Sequence, residues 1–241
     1  MPDVLSIAVC MPDGVTLSDF IPPMEILAMV NLADHPEKGT DLREAMGGDL
    51  PIRFTIDYLA ASSESVVPLL GSLLPSIKPT LSYGDALEKG KQFDILWVPA
   101  GRNPNFATGA HPFPEIELAF IKQQALKARY VMSVCTGAHQ LALAGVLSGK
   151  RATTNKQFFK GIVSTSPQDI TWIAKARWVV DGKQCFLSLS KTFIEQLTNK
   201  KVTQKLRGAV EIPEVSGNDD EFADFWGLLQ SEVPYEMNVC E

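Results

Sequence analysis

Apolar residues gather in short runs along the chain, and these runs alternate with stretches of helical or mixed polarity. Residues 4–10, 93–101 and 130–134 are largely apolar, which is typical of strands buried on both faces of a parallel sheet. Residues 52–61 alternate between apolar and polar positions, the pattern of a half-buried strand. The pattern therefore predicts four core strands.

Helices are predicted between and beside these strands. Residues 114–130 have helical periodicity, with acidic residues early and basic residues late, which matches the helix dipole. Residues 136–147 form a small-residue helix directly after the last strand. Another helix is predicted behind Ser18 or Asp19, either of which suits an N-cap, and the prolines that follow are tolerated in a first helical turn.

Three other stretches complete the pattern. Residues 34–50 are polar and Gly-rich, which indicates a surface insertion and not a domain boundary. Residues 64–81 are apolar but interrupted by glycine and proline, so we expect short irregular strands there. Residues 191–207 have a helix-like pattern.

The alternation of strands and helices favours an α/β fold with a parallel sheet covered on both faces. In such sheets ligands bind beyond the carboxyl ends of the strands, where Cys135 lies. A strand, a cysteine, small residues and a helix are the layout of a nucleophile elbow, which exposes the side chain. The N–H groups of the following helix, from Gly137 onward, favour a thiolate or bind an oxyanion. A buried structural cysteine is the alternative.

Composition and charge narrow the choice of partners and location. The chain has 241 residues, 45% of them hydrophobic and 21% charged, with a net charge of −6. Its basic residues are scattered, so we expect no nucleic-acid binding. No apolar stretch is long enough to span a bilayer, and the N-terminus does not resemble a signal peptide. We therefore expect no membrane association and a cytoplasmic location.

The cysteines suggest neither a disulfide framework nor a metal site. Cys10, Cys135, Cys185 and Cys240 are far apart in sequence and form no C-x-x-C motif. A structural zinc site is therefore not expected, and a reducing, cytosolic environment is the default. No metal or organic cofactor is implied.

The segment "SVCTGAHQLALAGVLSGKRATTN" resembles the Cys-Thr-Gly segment of the DJ-1/PfpI (ThiJ, class I glutamine amidotransferase-like) superfamily, in its isonitrile hydratase branch. Three further segments match in order: "LSDFIPPMEIL", "DILWVPAG" and the strand and hairpin "RWVVDGK". The resemblance covers residues 4–183 apart from the insertion. It implies one flavodoxin-like, doubly wound α/β sandwich over residues 1–241, with 184–241 as a divergent C-terminal part.

The resemblance also implies roles for individual residues. Cys135 matches the family's nucleophile, and Asp19 matches the acidic residue that works beside it. Thr136 matches the threonine that follows the cysteine in this branch, and Gly101 and Gly137 lie where backbone N–H groups border the substrate. In the hydratases of this branch the cysteine attacks the terminal carbon of R–N≡C, the carboxyl group handles protons, and water releases an N-formamide.

Three other residues are candidates with competing interpretations. Glu25 either approaches the thiol, as a glutamate does in other branches, or is solvated. His139 lies on the predicted helix and fits packing better than a general base, so a Cys-His-Asp triad and peptidase activity are disfavoured. Asn155 stands where hydratase-branch sequences usually carry histidine, which changes the polarity of that part of the pocket.

These features predict a cysteine-dependent lyase or hydrolase that acts on a small molecule, with isonitrile hydration as the most concrete reaction. One alternative is the same scaffold used for another reaction, such as a step of secondary metabolism. A second is a non-catalytic binding, stress-response or chaperone-like protein. A transcription regulator is disfavoured, because no basic helix-turn-helix follows. A homodimer that pairs near residues 20–30 is also expected.

The segment after the hairpin departs from the hydratase branch. Related chains continue with a Gly-rich run, whereas residues 183–190 here read "KQCFLSLS". Glycines let a backbone approach a ligand closely, so their loss reshapes that wall, as does Asn155. We therefore predict that small aliphatic isonitriles are poor substrates, and that the native ligand is larger, different, or not turned over.

Overall fold

The strands of the molecule form one large sheet and one small ribbon. The computed structural model describes residues 2–35, 51–182, 184–187, 195, 200, 202–204 and 220–228. Its strands are β1 (Asp3–Cys10), β2 (Ile52–Ala60), β3 (Leu81–Ser82), β4 (Ile95–Val98), β5 (Tyr130–Val134), β6 (Arg151–Ala152), β7 (Thr171–Trp172), β8 (Val179–Asp181) and β9 (Gln184–Leu187). The large sheet has the order β3-β2-β1-β4-β5-β9-β8, and β6 pairs with β7.

Short helices connect the strands and cover the sheet. They are α1 (Ile21–Asn31), α2 (Tyr83–Glu88), α3 (Glu115–Ala125), α4 (Gly137–Leu143), α5 (Phe159–Ser164) and α6 (Glu221–Phe225), with 3-10 turns at Leu17–Asp19, Leu32–Asp34 and Gly71–Leu73. As the charge pattern predicts, α3 has Glu115 and Glu117 in its first turn and Lys122 in its last. Helix α4 stops short of the predicted end because Gly145, at φ +75°, turns the chain out of the helix.

The order of the parallel strands places a crevice at the edge of the sheet. Strand β1 pairs in parallel with β2 on one side and with β4 on the other. Strand β4 pairs in parallel with β5, and β5 with β9. The carboxyl ends of β1, β4 and β5 therefore lie at one edge of the sheet. The strand order reverses between β1 and β4, and this topological switch point leaves room for a ligand at that edge. The predicted doubly wound α/β fold is confirmed.

Strand β1 shows why the sheet needs cover on both faces. Leu5, Ile7 and Val9 pack into one hydrophobic cluster, while Ala8 and Cys10 pack into another. Successive side chains of a strand point to opposite faces, so these two clusters lie on the two sides of the sheet. An almost continuous apolar run follows directly from that double burial.

The predicted hairpin follows the parallel strands. Strands β8 and β9 are antiparallel, and Gly182 in the connection has φ +62°. A positive φ favours glycine, which explains the Asp-Gly pair at this turn. The hairpin places β9 beside β5, so β5 is an inner strand of the sheet.

Two local predictions are wrong and two others fall largely outside the described residues. Helix α1 begins behind Phe20 and has no side-chain cap, so neither Ser18 nor Asp19 is its N-cap; a separate 3-10 turn holds Asp19. In place of short irregular strands, residues 64–80 contain one isolated bridge, Val66 to Ile77, and a 3-10 turn, and the two-residue strand β3 begins only at Leu81. Most of the insertion at 34–50 and of the predicted helix at 191–207 lies outside the described residues, although 195, 200 and 202–204 are helical.

Candidate active site

Cys135 occupies a sharp turn between β5 and α4. Its φ is +56°, and among the described residues no other non-glycine residue has a positive φ. A left-handed conformation costs a side-chain-bearing residue on the order of 1–2 kcal/mol. The turn therefore needs firm support from its surroundings, and strain of this kind is often found at functional sites.

Close packing of α4 on β4 supplies that support. A Cβ on Gly137 would lie only 2.1 Å from the carbonyl oxygen of Val98, so only glycine fits there. The Gln140 amide donates a hydrogen bond to the Pro99 carbonyl at 3.0 Å. The Thr154 hydroxyl donates to the carbonyl of Cys135 itself at 2.9 Å. These contacts fix the helix start and the elbow together.

Asp19 is held at the carboxyl end of β4. Its Oδ2 accepts a hydrogen bond from the Ala100 N–H at 3.0 Å, and its backbone carbonyl accepts one from Trp97 Nε1 at 3.0 Å. Burial raises the pKa of Asp19 to about 6, although the Ala100 N–H bond acts in the opposite direction. The carboxyl group therefore titrates close to neutral pH.

Asp19 and Cys135 face the same cavity, which has a volume of about 410 Å³. The two side chains come from the connections after β1 and β5 and meet at the switch point of the sheet. Asn155 also lines this cavity. The site thus combines a thiol, a carboxyl group with a raised pKa and an amide in a space that fits a small molecule.

The environment of Cys135 favours the thiol over the thiolate. Burial and the negative charge of Asp19 raise the pKa of Cys135 to about 11. Hydrogen bonds from Thr136 and Asn155 lower this pKa, but by less than the other two effects raise it. The expectation that the helix start would favour a thiolate is therefore wrong. The helix has only seven residues, and a buried thiol beside a carboxylate ionises reluctantly.

Five of the predicted site residues do not line the cavity; one of them, Thr136, is next to Cys135 in the chain and contacts the thiol, and the other four lie farther away. Gly101 packs against Pro12, where a Cβ would come within 2.5 Å of Pro12 Cγ. Gly137 packs on β4, Glu25 is exposed on α1, and His139 is buried.

The surroundings of His139 agree with the packing interpretation. Its Nε2 lies 3.2 Å from the Thr165 hydroxyl, and its ring meets Phe113 edge-on. Burial lowers the pKa of His139, so the ring is held neutral. His139 therefore does not join Cys135 and Asp19 in the cavity.

Thr136 and Asn155 both contact the thiol. The backbone N–H and the side chain of Thr136 form hydrogen bonds that lower the pKa of Cys135, and the Asn155 side chain adds another. The Asn155 Oδ1 accepts a bond from the Gln157 N–H at 3.0 Å, which fixes the amide orientation. The residue that replaces the usual histidine is therefore a direct neighbour of the nucleophile candidate.

An ion pair between Lys156 and Asp220 lines the cavity and was not predicted from the sequence. The Lys156 Nζ lies 3.2 Å from Asp220 Oδ2, with only 8% and 2% of the two side chains exposed. Lys156 also donates hydrogen bonds to the Thr153 hydroxyl and the Ala176 carbonyl. Burial lowers the pKa of Lys156, while Asp220 raises it. No local signal in the sequence marks this pair, because its members are far apart in the chain.

Helix α6 forms a wall of the cavity that sequence reasoning also missed. Phe222 and Trp226 line the cavity together with Arg177. The Arg177 guanidinium lies 3.1 Å from Glu221 Oε1 and 5.1 Å from the centre of the Phe222 ring. The alternation of acidic and aromatic residues in "DDEFADFW" is the only signal in the sequence that marks this segment.

The described part of the chain has neither a cluster of metal ligands nor a membrane-spanning helix. No group of three or more His, Cys, Asp or Glu side chains there could hold a metal ion. No helix within the described ranges has both the length and the hydropathy to cross a membrane.

Comparisons with known proteins identify a family whose profile covers most of the chain. The sequence profile of the DJ-1/PfpI family matches residues 5–203. An isonitrile hydratase of Pseudomonas putida is 42% identical over 94 residues, which are 38% of this chain and 37% of that protein. The match thus spans well under half of either chain.

Solved structures show the same fold at low sequence identity. A ThiJ/PfpI family protein of Pseudomonas syringae has a TM-score of 0.64 and 20% identity, over 90% of this chain and 78% of its own. Drosophila melanogaster DJ-1beta has a TM-score of 0.63 and 18% identity, over 89% of this chain and 100% of its own. At these identities the likeness concerns the fold alone.

Proposed function

The chain belongs to the DJ-1/PfpI family, and from that premise we propose that it adds water to the terminal carbon of an isonitrile, R–N≡C, to give an N-formamide. The observation that carries the proposal is the shared cavity of Cys135 and Asp19, in which a thiol with a raised pKa faces a carboxyl group with a pKa of about 6. The partial match to an isonitrile hydratase supports the choice of substrate class.

The first half of the reaction forms a covalent intermediate. The Asp19 carboxylate takes the S–H proton of Cys135 while the sulfur electron pair forms a bond to the terminal carbon of the isonitrile. The carboxyl group then delivers that proton to the same carbon, which gives a thioimidate, R–N=CH–S–Cys. A thiolate derived from a thiol of high pKa is a strong nucleophile, and a carboxyl group with a pKa of about 6 both accepts and donates near neutral pH.

The second half consumes water and restores the enzyme. Water adds to the thioimidate carbon, Asp19 takes a proton from it, and the imine nitrogen gains a proton. The C–S bond then breaks with its electron pair returning to sulfur, the new hydroxyl becomes the formamide carbonyl, and Cys135 recovers its proton. The sum is R–N≡C plus water giving R–NH–CHO, with no redox change.

The Asn155 side chain and the Thr136 N–H assist by contacting the sulfur. Both groups lower the pKa of Cys135 and so stabilise negative charge as it develops there. Neither competes for the proton that Asp19 handles, because an amide and a backbone N–H do not titrate in this range. Asn155 therefore orients the sulfur without adding a second base.

A second candidate is a family member that binds its ligand without turning it over. The observation that favours it is the pKa of about 11 for Cys135, which keeps the free sulfur protonated at neutral pH. Catalysis then depends on proton transfer to Asp19 during attack, and without that transfer the site only binds.

Mass spectrometry of the Cys135 peptide separates the two candidates. The protein is mixed with an excess of an aryl isonitrile, quenched and digested, and the hydratase proposal predicts a gain equal to the mass of the isonitrile on Cys135. Cys135→Ala supplies the blank. Formamide production without any adduct in repeated quenches would refute the covalent route, and neither adduct nor formamide would favour the binding protein.

A further inference from the structure

Two aromatic side chains, Phe222 in α6 and Trp226 directly after it, border the cavity that contains Cys135. Phe222 and Trp226 are four residues apart, so they lie on the same side of this helical segment. They remain 49% and 43% exposed. Large aromatic surfaces left open beside a nucleophile candidate are available to a ligand that enters the cavity.

Other residues, and not these two rings, anchor the segment to the molecule. Ala223 and Leu228 are buried in a hydrophobic core cluster. Three carboxylates then pair with three basic residues: Asp220 with Lys156, Glu221 with Arg177, and Asp224 with Lys175. The wall is thus fixed by its buried side and its acidic residues, which leaves the aromatic side free to determine what binds.

The charges of the cavity disfavour an anionic ligand. Lys156 and Arg177, both in the cavity lining, are each matched by a carboxylate of the 220–228 segment. An anionic ligand would have to compete with those carboxylates for the cations. A flat apolar group has no such cost, because it gains contact with the rings of Phe222 and Trp226.

We propose that Phe222 and Trp226 bind the substituent of the substrate, and that this substituent is a flat, uncharged aromatic group. The inference rests on the proposed function for the position of the isonitrile carbon at Cys135, and it adds the class of R. It also gives a physical cause for the expected discrimination against small aliphatic isonitriles, because a small alkyl group reaches the thiol without gaining contact with the two rings.

Calorimetric titration with N-naphthylformamide, a stable molecule of the product class, tests the binding itself. We expect Phe222→Ala and Trp226→Ala each to weaken its binding by about tenfold, the scale of one lost aromatic contact. Leu73→Ala is the control, because its side chain is 83% exposed and does not line the cavity, so binding should change by less than about twofold. N-methylformamide should bind weakly and respond to none of the three substitutions.

Steady-state kinetics with naphthyl isocyanide add a second readout. Trp226→Ala should raise KM by about tenfold and leave kcat nearly unchanged, whereas methyl isocyanide should give the same constants with both proteins. Circular dichroism checks that the variant keeps its fold, and Trp226→Phe should restore most of the affinity.

The two proposals fail in distinguishable ways. One outcome is that Trp226→Ala loses N-naphthylformamide binding while the wild type turns over no isonitrile. That result would refute the hydratase proposal and support the aromatic binding site. Turnover with a KM for naphthyl isocyanide that does not respond to Phe222→Ala or Trp226→Ala would refute the aromatic site alone. An equal loss with Leu73→Ala would also overturn it.

Discussion

Burial, and after it the carboxylate of Asp19, raises the pKa of the Cys135 thiol in the cavity that the two residues share. The relationship between these two groups is unusual for a nucleophile, since opposite charge is the common way to activate a cysteine. Here the sulfur keeps its proton until a base removes it, and the carboxylate that helps to keep the thiol protonated is also the proposed base. The first prediction follows from this coupling.

Replacing Asp19 with asparagine should make Cys135 more reactive towards alkylation. Removal of the negative charge lowers the thiol pKa, so iodoacetamide should modify Cys135 about three- to tenfold faster at mildly alkaline pH. Mass spectrometry of the Cys135 peptide measures the rate. Asp13→Asn is the matched control, because Asp13 is an exposed carboxylate in the same connection and pairs with Arg102. A slower rate in Asp19→Asn would contradict this prediction, because it would mean that proton removal by Asp19 outweighs the effect of its charge on the thiol pKa even with iodoacetamide.

Substitutions at Cys135 should separate chemistry from backbone strain. Cys135→Ala should keep the wild-type fold and midpoint of thermal unfolding, because the side chain is only partly buried, while abolishing turnover. Cys135→Val places a β-branched side chain at φ +56° and should lower the free energy of unfolding by about 1–3 kcal/mol relative to Cys135→Ala. Urea unfolding measures both. Equal stability of the two variants would show that the elbow relaxes.

Glu117 should make the stability of the protein depend on pH. Burial raises its pKa from 4.5 to about 8, and its Oε1 has no hydrogen-bond partner. The pKa of Glu117 is higher in the folded state than in the unfolded state. Its contribution to the free energy of unfolding is therefore fully present below the unfolded-state pKa and is lost as pH rises towards the folded-state pKa.

Between about pH 5 and pH 8, the wild type should lose on the order of 4 kcal/mol relative to Glu117→Gln, which has no proton to release. Urea unfolding across that range gives the comparison. Parallel pH profiles of the two proteins would contradict the assignment.

The Lys156–Asp220 pair should behave as a coupled unit. Both side chains are buried, so Lys156→Met or Asp220→Asn alone leaves a polar or charged group without its partner and should cost about 3 kcal/mol. The double variant should cost clearly less than the sum of the two. A double-mutant cycle by urea unfolding measures the coupling, and additive effects would argue against a close contact between Lys156 and residues 220–228.

The sheet and the elbow could be predicted because they depend on local patterns. Apolar runs mark β1, β4 and β5, and the small residues after Cys135 mark the sharp turn into α4. The family of the chain followed from motifs around Cys135 and Asp19, and the sequence profile confirms it. The capping role expected of Asp19 was wrong, because its carboxylate bonds to the distant Ala100 N–H and not to the helix that follows it.

The far wall of the cavity could not be predicted, because it depends on long-range pairing of charges. Nothing in the local sequence of Lys156 or Arg177 shows that their partners lie at Asp220 and Glu221. Likewise the raised thiol pKa depends on burial and on Asp19, which local sequence does not reveal. The homodimer expected near residues 20–30 stays a prediction, which light scattering tests against the monomer mass of 26.4 kDa.

Production of N-formamide from naphthyl isocyanide by three purified proteins tests the central claim most directly. The account predicts steady turnover by the wild type, none above the uncatalysed rate by Cys135→Ala, and a kcat reduced by at least about a hundredfold in Asp19→Asn with a smaller change in KM. Cyclohexyl isocyanide should be turned over far less efficiently by the wild type. Turnover by Cys135→Ala at the wild-type rate, or no formamide from any isonitrile with the folded wild type, would contradict the account.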